Sequence, residues 1–187
     1  MKLGQTPSQT VGPFFKPALH SDALCELASE QTRGERIVIS GRVLDGDQAP
    51  VPDAMVEIWQ ANAEGRYRHP EDTQEKLLDP HFVGFGRAAT DREGRFRFST
   101  IKPGSVPGRN SEWQAPHLNL SVFARGLLKR LATRVYFEGE RLNDQDAVLR
   151  STPAARRRTL LARRASSGEY IFDIVLQGAG ETVFFDI

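Results

Sequence analysis

At 187 residues the chain is long enough for one domain with a substantial core and too short for two. Lys and Arg total 25 against 24 Asp and Glu, so a net charge of +1 provides no field for holding nucleic acid or an anionic membrane. One cysteine, Cys25, excludes an internal disulfide, and with four histidines it leaves little material for a self-contained structural zinc site.

Thr6 to Lys16 is punctuated by Pro7, Gly12 and Pro13 and ends near Phe14-Phe15, a composition that opposes helix or central strand. It reads as an extended N-terminal arm, residues 1–16, packed either on its own domain or on another chain. No apolar run has the length of a signal-peptide core or of a membrane span, so a soluble, cytoplasmic chain is expected. Ser21 to Ala28 predicts a short helix capped by Ser21 or Asp22. Strand signals follow. Residues 37–44 place Ile37, Ile39 and Val43 on one face, and residues 54–61 form a second strand closed by Asn62-Ala63-Glu64-Gly65. Residues 84–90 and 95–99 flank Asp91-Arg92-Glu93-Gly94, which predicts a hairpin with Phe96 and Phe98 on its buried face.

Beyond a Pro/Gly-rich loop from Lys102 to Arg109, Pro116 opens the clearest alternation in the chain. Leu118, Leu120, Val122 and Ala124 point one way; His117, Asn119, Ser121, Phe123 and Arg125 point the other. Residues 133–137 and 170–176 predict further strands, and 182–185 a last one. Thr152-Pro153 ahead of residues 154–165 predicts a capped helix, with Arg156, Arg157, Arg158, Arg163 and Arg164 as a solvated basic face. Many short strands with little helix predict an all-β sandwich or barrel, one domain with its core in residues 37–187.

His117-x-Asn119 lies on the polar face of an apolar strand. Residues two apart share a face, so a His-x-His pair there would aim two imidazoles at one metal. Asn119 is a neutral amide and a poor ferric ligand, so His117 by itself reads as a satisfied core histidine.

Several runs, in order, resemble the intradiol ring-cleavage dioxygenases. They are Thr6-Pro-Ser-Gln-Thr10-Val-Gly12-Pro13-Phe14, Val56-Glu-Ile-Trp-Gln-Ala-Asn62 with Gly65-Arg-Tyr67, and Asp79-Pro-His-Phe82 with Gly86-Arg87. Thr100-Ile-Lys-Pro-Gly104 and Ala115-Pro-His117 continue the series. The resemblance implies a mixed-topology β-sandwich with a few short helices and an extended N-terminal arm. It also implies a non-haem Fe(III) held by two tyrosines and a His-x-His pair. Carried over position by position, Tyr67 and His117 match the first tyrosine and first histidine, whereas Val106 and Asn119 stand at the other two positions. Two of four ligands are missing. The chain is accordingly similar to one branch of the family, in which a metal-free alpha chain pairs with an iron-bearing beta chain. Phe123-Ala-Arg-Gly126, Thr133-Arg-Val-Tyr-Phe137 and Glu181-Thr-Val-Phe-Phe-Asp-Ile187 resemble that branch.

The resemblance implies that this chain carries no catalytic residue and no metal, and is inactive alone. It would line its partner's pocket for protocatechuate (3,4-dihydroxybenzoate), which O₂ cleaves to 3-carboxy-cis,cis-muconate. The implied substrate-binding residues are Thr10, Gly12, Pro13 and Phe14 on the arm, where that branch often has tyrosine at the last position, and Arg125. Two alternatives remain open. One is a self-sufficient catechol dioxygenase with an unusual iron site including Tyr67 and His117; the other is a non-catalytic β-sandwich binding module.

Overall fold

The computed structural model describes residue 19, residues 21–108 and residues 112–186. Nine strands form one mixed, nearly closed sheet: β1 (Arg36–Leu44), β2 (Met55–Trp59), β3 (Phe85–Ala89), β4 (Arg95–Ile101), β7 (His117–Phe123), β8 (Leu131–Phe137), β9 (Leu161–Ser166), β10 (Glu169–Ile171) and β11 (Ile174–Val175). A separate pair, β5 (Val106–Pro107) and β6 (Trp113–Gln114), lies outside it.

β4, β1, β10 and β11 make one layer, and β3, β2, β7 and β8 the other. β9 joins the two, pairing parallel with β8 through Leu161 and Ala162 and antiparallel with β10 through Arg163 to Ser166. Strand alternation turns Ile37, Ile39, Phe96 and Phe98 from the first layer towards Val56, Ile58, Leu118 and Leu120 from the second. These side chains form one continuous core, each stabilising the fold by ~1.5–3 kcal/mol. The all-β sandwich expected from the sequence is therefore the observed architecture.

Asp91-Arg92-Glu93-Gly94 does form a tight turn, with the Asp91 N–H donating to the Arg95 carbonyl at 3.0 Å. It is not a hairpin, however. β3 pairs with β2 and β4 pairs with β1, so the turn carries the chain from one layer to the other. Turn chemistry fixes a chain reversal but not its partner strand. The helix expected over residues 154–165 is also corrected: it covers only Ala154–Arg157 and a 3-10 turn, Arg158–Leu160, before β9 begins. Burial of Leu160 and Ala162 against the sheet outweighs helix propensity there.

The strand expected over 170–176 is split. Between β10 and β11 the Asp173 carboxylate, not a main-chain carbonyl, accepts the Arg42 N–H at 2.8 Å. Residues 182–185 contribute an isolated bridge, Ala132 to Phe185, in place of a strand. Residues 21–28 yield a 3-10 turn, Asp22–Cys25, with Ser21 at its N-cap but no side-chain capping bond.

A smaller core of Ala115, Tyr136, Leu149 and Leu160 lies at one end of the sandwich. Its organiser is Asp146, fully buried. One carboxylate oxygen accepts from the Leu149 N–H at 2.8 Å and from the Tyr136 hydroxyl at 3.0 Å; the other accepts from the Ala115 N–H at 2.9 Å. This fixes the start of helix Ala147–Ser151 and the entry into β7 together.

Candidate functional site

Tyr67 stands on the loop after β2. Asn62 shapes that loop, its side-chain oxygen accepting from the N–H groups of Glu64 and Arg66 at 3.0 and 2.9 Å. The Tyr67 N–H donates to Asp72 at 2.7 Å. Two glycines let this loop press against the one leading into β5. A Cβ on Gly65, whose φ is +79°, would lie 1.9 Å from the Ser105 carbonyl oxygen; one on Gly104 would lie 2.4 Å from that of Ala63. The contact brings Val106 beside Tyr67.

His117 opens β7. Its Nδ1 bonds the Ala115 carbonyl at 2.7 Å, and its ring tilts against Tyr136 at 5.7 Å. Asn119, on the same strand face, donates from Nδ2 to the Tyr67 hydroxyl at 3.1 Å and to the Trp59 carbonyl at 3.3 Å. Tyr67 stacks on Trp59 at 5.8 Å. Tyr67, Val106 and His117 thus line one cavity of about 450 Å³, and Asn119 is bonded to its tyrosine. All four positions picked out by the family resemblance meet in space.

Sequence reasoning missed Arg134. It is the cross-strand partner of Asn119 on β8 and lines the same cavity. Its Nη1 donates to Gln114 Oε1 at 2.6 Å and to the Tyr136 hydroxyl at 3.4 Å. Alternation in residues 133–137 places Arg134 on the outer face, but only the strand register sets it opposite Asn119.

Burial raises the Tyr67 pKa, partly offset by the Asn119 N–H and the Arg134 cation. The phenol is therefore neutral at ordinary pH. Burial, and secondarily Arg134, pushes the His117 imidazole down to about 4. An unfolded chain takes up that proton near pH 6.5 while the folded one does not, so stability falls as pH drops from about 6.5 to about 4. The expected His117 contribution is on the order of 3 kcal/mol. Urea unfolding at pH 7 and pH 4.5 should show a smaller pH loss in His117→Gln than in the parent chain. Equal losses would refute the buried neutral imidazole.

The donor set does not fit a ferric ion. Val106 supplies no ligand atom, Asn119 presents an amide N–H to the Tyr67 oxygen, and a guanidinium borders the cavity. Among the described residues, no group of three or more His, Cys, Asp or Glu side chains is placed to hold a metal.

Thr10, Gly12, Pro13 and Phe14 lie outside the described residues. Arg125 falls in the turn just past β7 and not on the strand itself, eight residues and roughly 25 Å from His117. It takes no part in this cavity. It is exposed, with Nη2 3.8 Å from an Asp53 carboxylate oxygen. No helix among the described residues is long and apolar enough to cross a membrane.

Residues 10–178 match the dioxygenase family. The sequence is 41% identical to the protocatechuate 3,4-dioxygenase alpha chain of Burkholderia cepacia, over 99% of this chain and 98% of that one. It is 46% identical to the beta chain from the same organism, over 80% of this chain and 67% of that one. The dioxygenase domain of a dioxygenase–carbohydrate-binding protein fusion from Streptomyces sp. SirexAA-E shares the fold, with a TM-score of 0.64 and 31% identity over 94% of this chain and 100% of that one. On a family match across most of its length, near-complete alignment with an alpha chain and a common sandwich, this chain belongs to the intradiol dioxygenase family.

Proposed function

We propose that this chain is the non-iron-binding alpha subunit of a protocatechuate 3,4-dioxygenase and works in a complex with an iron-bearing beta chain. The carrying observation is the cavity chemistry: an amide N–H on the Tyr67 oxygen, with Val106 alongside, where the family's iron ligands would stand. Alignment over nearly the full length of an alpha chain supports the same reading. The complex cleaves protocatechuate with O₂ between its two hydroxyl-bearing carbons, giving 3-carboxy-cis,cis-muconate, in the cytoplasm. Fe(III) in the beta chain supplies the Lewis acidity that binds and activates the catechol.

This chain's share is positioning. Thr10, Gly12, Pro13 and Phe14 would line the partner's pocket, glycine being the residue type with no Cβ and proline the one with a fixed φ. The Arg125 guanidinium matches a carboxylate in two-pronged fashion and would orient the substrate's carboxylate. A self-sufficient iron enzyme is disfavoured by the same donor set.

The test is to purify the chain alone and together with the beta chain, then measure metal content and protocatechuate cleavage. The chain alone should hold no stoichiometric iron and cleave nothing, while the pair does both. Iron and turnover in the chain alone would sink the proposal; a pair that never associates would leave a non-catalytic sandwich module.

A further inference from the structure

We infer that the cavity bordered by Tyr67, His117 and Arg134 is a binding site, in this chain itself, for a small hydroxyaromatic carboxylate. The inference rests on the chain's own geometry and not on the proposed partnership.

The cation comes first. Arg134 is half-buried at the cavity, and a guanidinium carries five N–H donors. Its bonds go to neutral acceptors, Gln114 Oε1 and the Tyr136 hydroxyl, and among the described residues it pairs with no carboxylate. Asp146, behind Tyr136, already accepts from Leu149, Ala115 and Tyr136. The other acids at the cavity do not answer the charge. Asp72 is taken up by the Tyr67 and Gln74 N–H groups and the Gln74 amide, and Glu71 is exposed at the rim. A half-buried guanidinium with unused donors facing a cavity matches an oxyanion, a carboxylate above all.

The other polar groups narrow the class. A carbonyl oxygen can only accept, so the Nδ1–Ala115 bond requires the His117 proton on Nδ1 and leaves Nε2 as an acceptor. His117 is only 3% exposed and lines the cavity, and no described residue donates to Nε2. Tyr67 accepts from Asn119, which leaves its own proton to donate. The Trp59–Tyr67 stack supplies a flat aromatic wall, with interplanar angle 17°. A cation, an acceptor, a donor and a flat wall suit a planar ring bearing a carboxylate and a hydroxyl. The volume of about 450 Å³ is in the range of small-molecule sites.

The probe is 4-hydroxybenzoate, titrated calorimetrically into the full chain in whichever form it purifies, alone or with a beta chain. Arg134→Gln should remove one equivalent of binding per copy of this chain, or weaken that class at least about tenfold, with no change in ring cleavage. Asn119→Asp, which sets a carboxylate across the strands from Arg134 and against the Tyr67 hydroxyl, should weaken the same class and decides the matter if Arg134→Gln does not fold. The neutral analogue 4-hydroxybenzamide should bind this class at least about tenfold more weakly than the acid in the parent chain, and no more weakly in Arg134→Gln. Unchanged stoichiometry and affinity in both folded variants, or an amide that binds as well as the acid, would overturn the inference. Ring cleavage measured on the same samples reports separately on the proposed partnership.

Discussion

Changing Val106 to Tyr and Asn119 to His should take this chain from retaining no iron to holding a stoichiometric Fe(III). The geometry for it is nearly complete. Val106 borders the cavity that Tyr67 and His117 line, and Asn119 shares a strand face with His117 and already reaches the Tyr67 oxygen. His117 is oriented by its Nδ1 bond to Ala115, leaving Nε2 for a metal, and such outer bonds fix ligand imidazoles generally. The substitutions remove an amide donor from the phenol oxygen and add an imidazole and a phenol. What still opposes the ion is Arg134, whose positive charge lowers the affinity of any cation nearby. Adding Arg134→Gln should therefore tighten iron further, with Gln still able to bond Gln114. Metal analysis and visible tyrosinate-to-iron absorption measure both steps. Folded double and triple variants that hold no iron would show that positions 106 and 119 do not correspond to ligand positions.

Arg125→Ala, assayed in the assembled complex, should lower kcat/KM for protocatechuate roughly ten- to hundredfold while iron content and assembly stay unchanged. That is the ~1.5–3 kcal/mol of a charge-assisted contact in a partly dry pocket. The loss should be smaller for a catechol without the carboxylate, which never made the contact. The visible partner of Arg125 does not account for such an effect. Its contact with Asp53 is 3.8 Å long, with the two side chains 62% and 44% exposed, a geometry that contributes ~0–1 kcal/mol. Asp53→Asn should accordingly leave turnover intact. Equal losses on both substrates would make Arg125 an organiser of the interface, and no loss on either would return it to the surface pair.

Most strands were legible because alternation is a local property. The burial of Leu118, Leu120, Val122 and Ala124 can be read directly from residues 117–125. Pairing was not legible. Nothing in Asp91-Arg92-Glu93-Gly94 says that its flanking strands enter different layers, and nothing in the arginine-rich run says that Arg163 and Arg164 belong to a strand. The four degenerate metal positions were found through the family resemblance, whose flanking motifs survive the loss of the ligands. Arg134 was missed because, although it lies in the Thr133–Phe137 run, it stands at no ligand position and reaches the cavity through the β7–β8 register. The Asn119–Tyr67 bond, between residues 52 apart, was equally out of reach.

The placement of β1 has a consequence for how the chain is made. On one side β1 has β4 for a neighbour; on the other it has β10 and β11, so that Arg42 waits for Asp173, 131 residues later. Closing a loop of that length is entropically costly, and folds dominated by such pairings form slowly. While the chain is emerging from the ribosome, β1 presents an unpaired edge until residues 169–175 have been synthesised, and unpaired edges invite association with other chains. A nascent chain arrested before β10 keeps that edge open, so prematurely terminated products are expected to be a principal source of aggregation during expression.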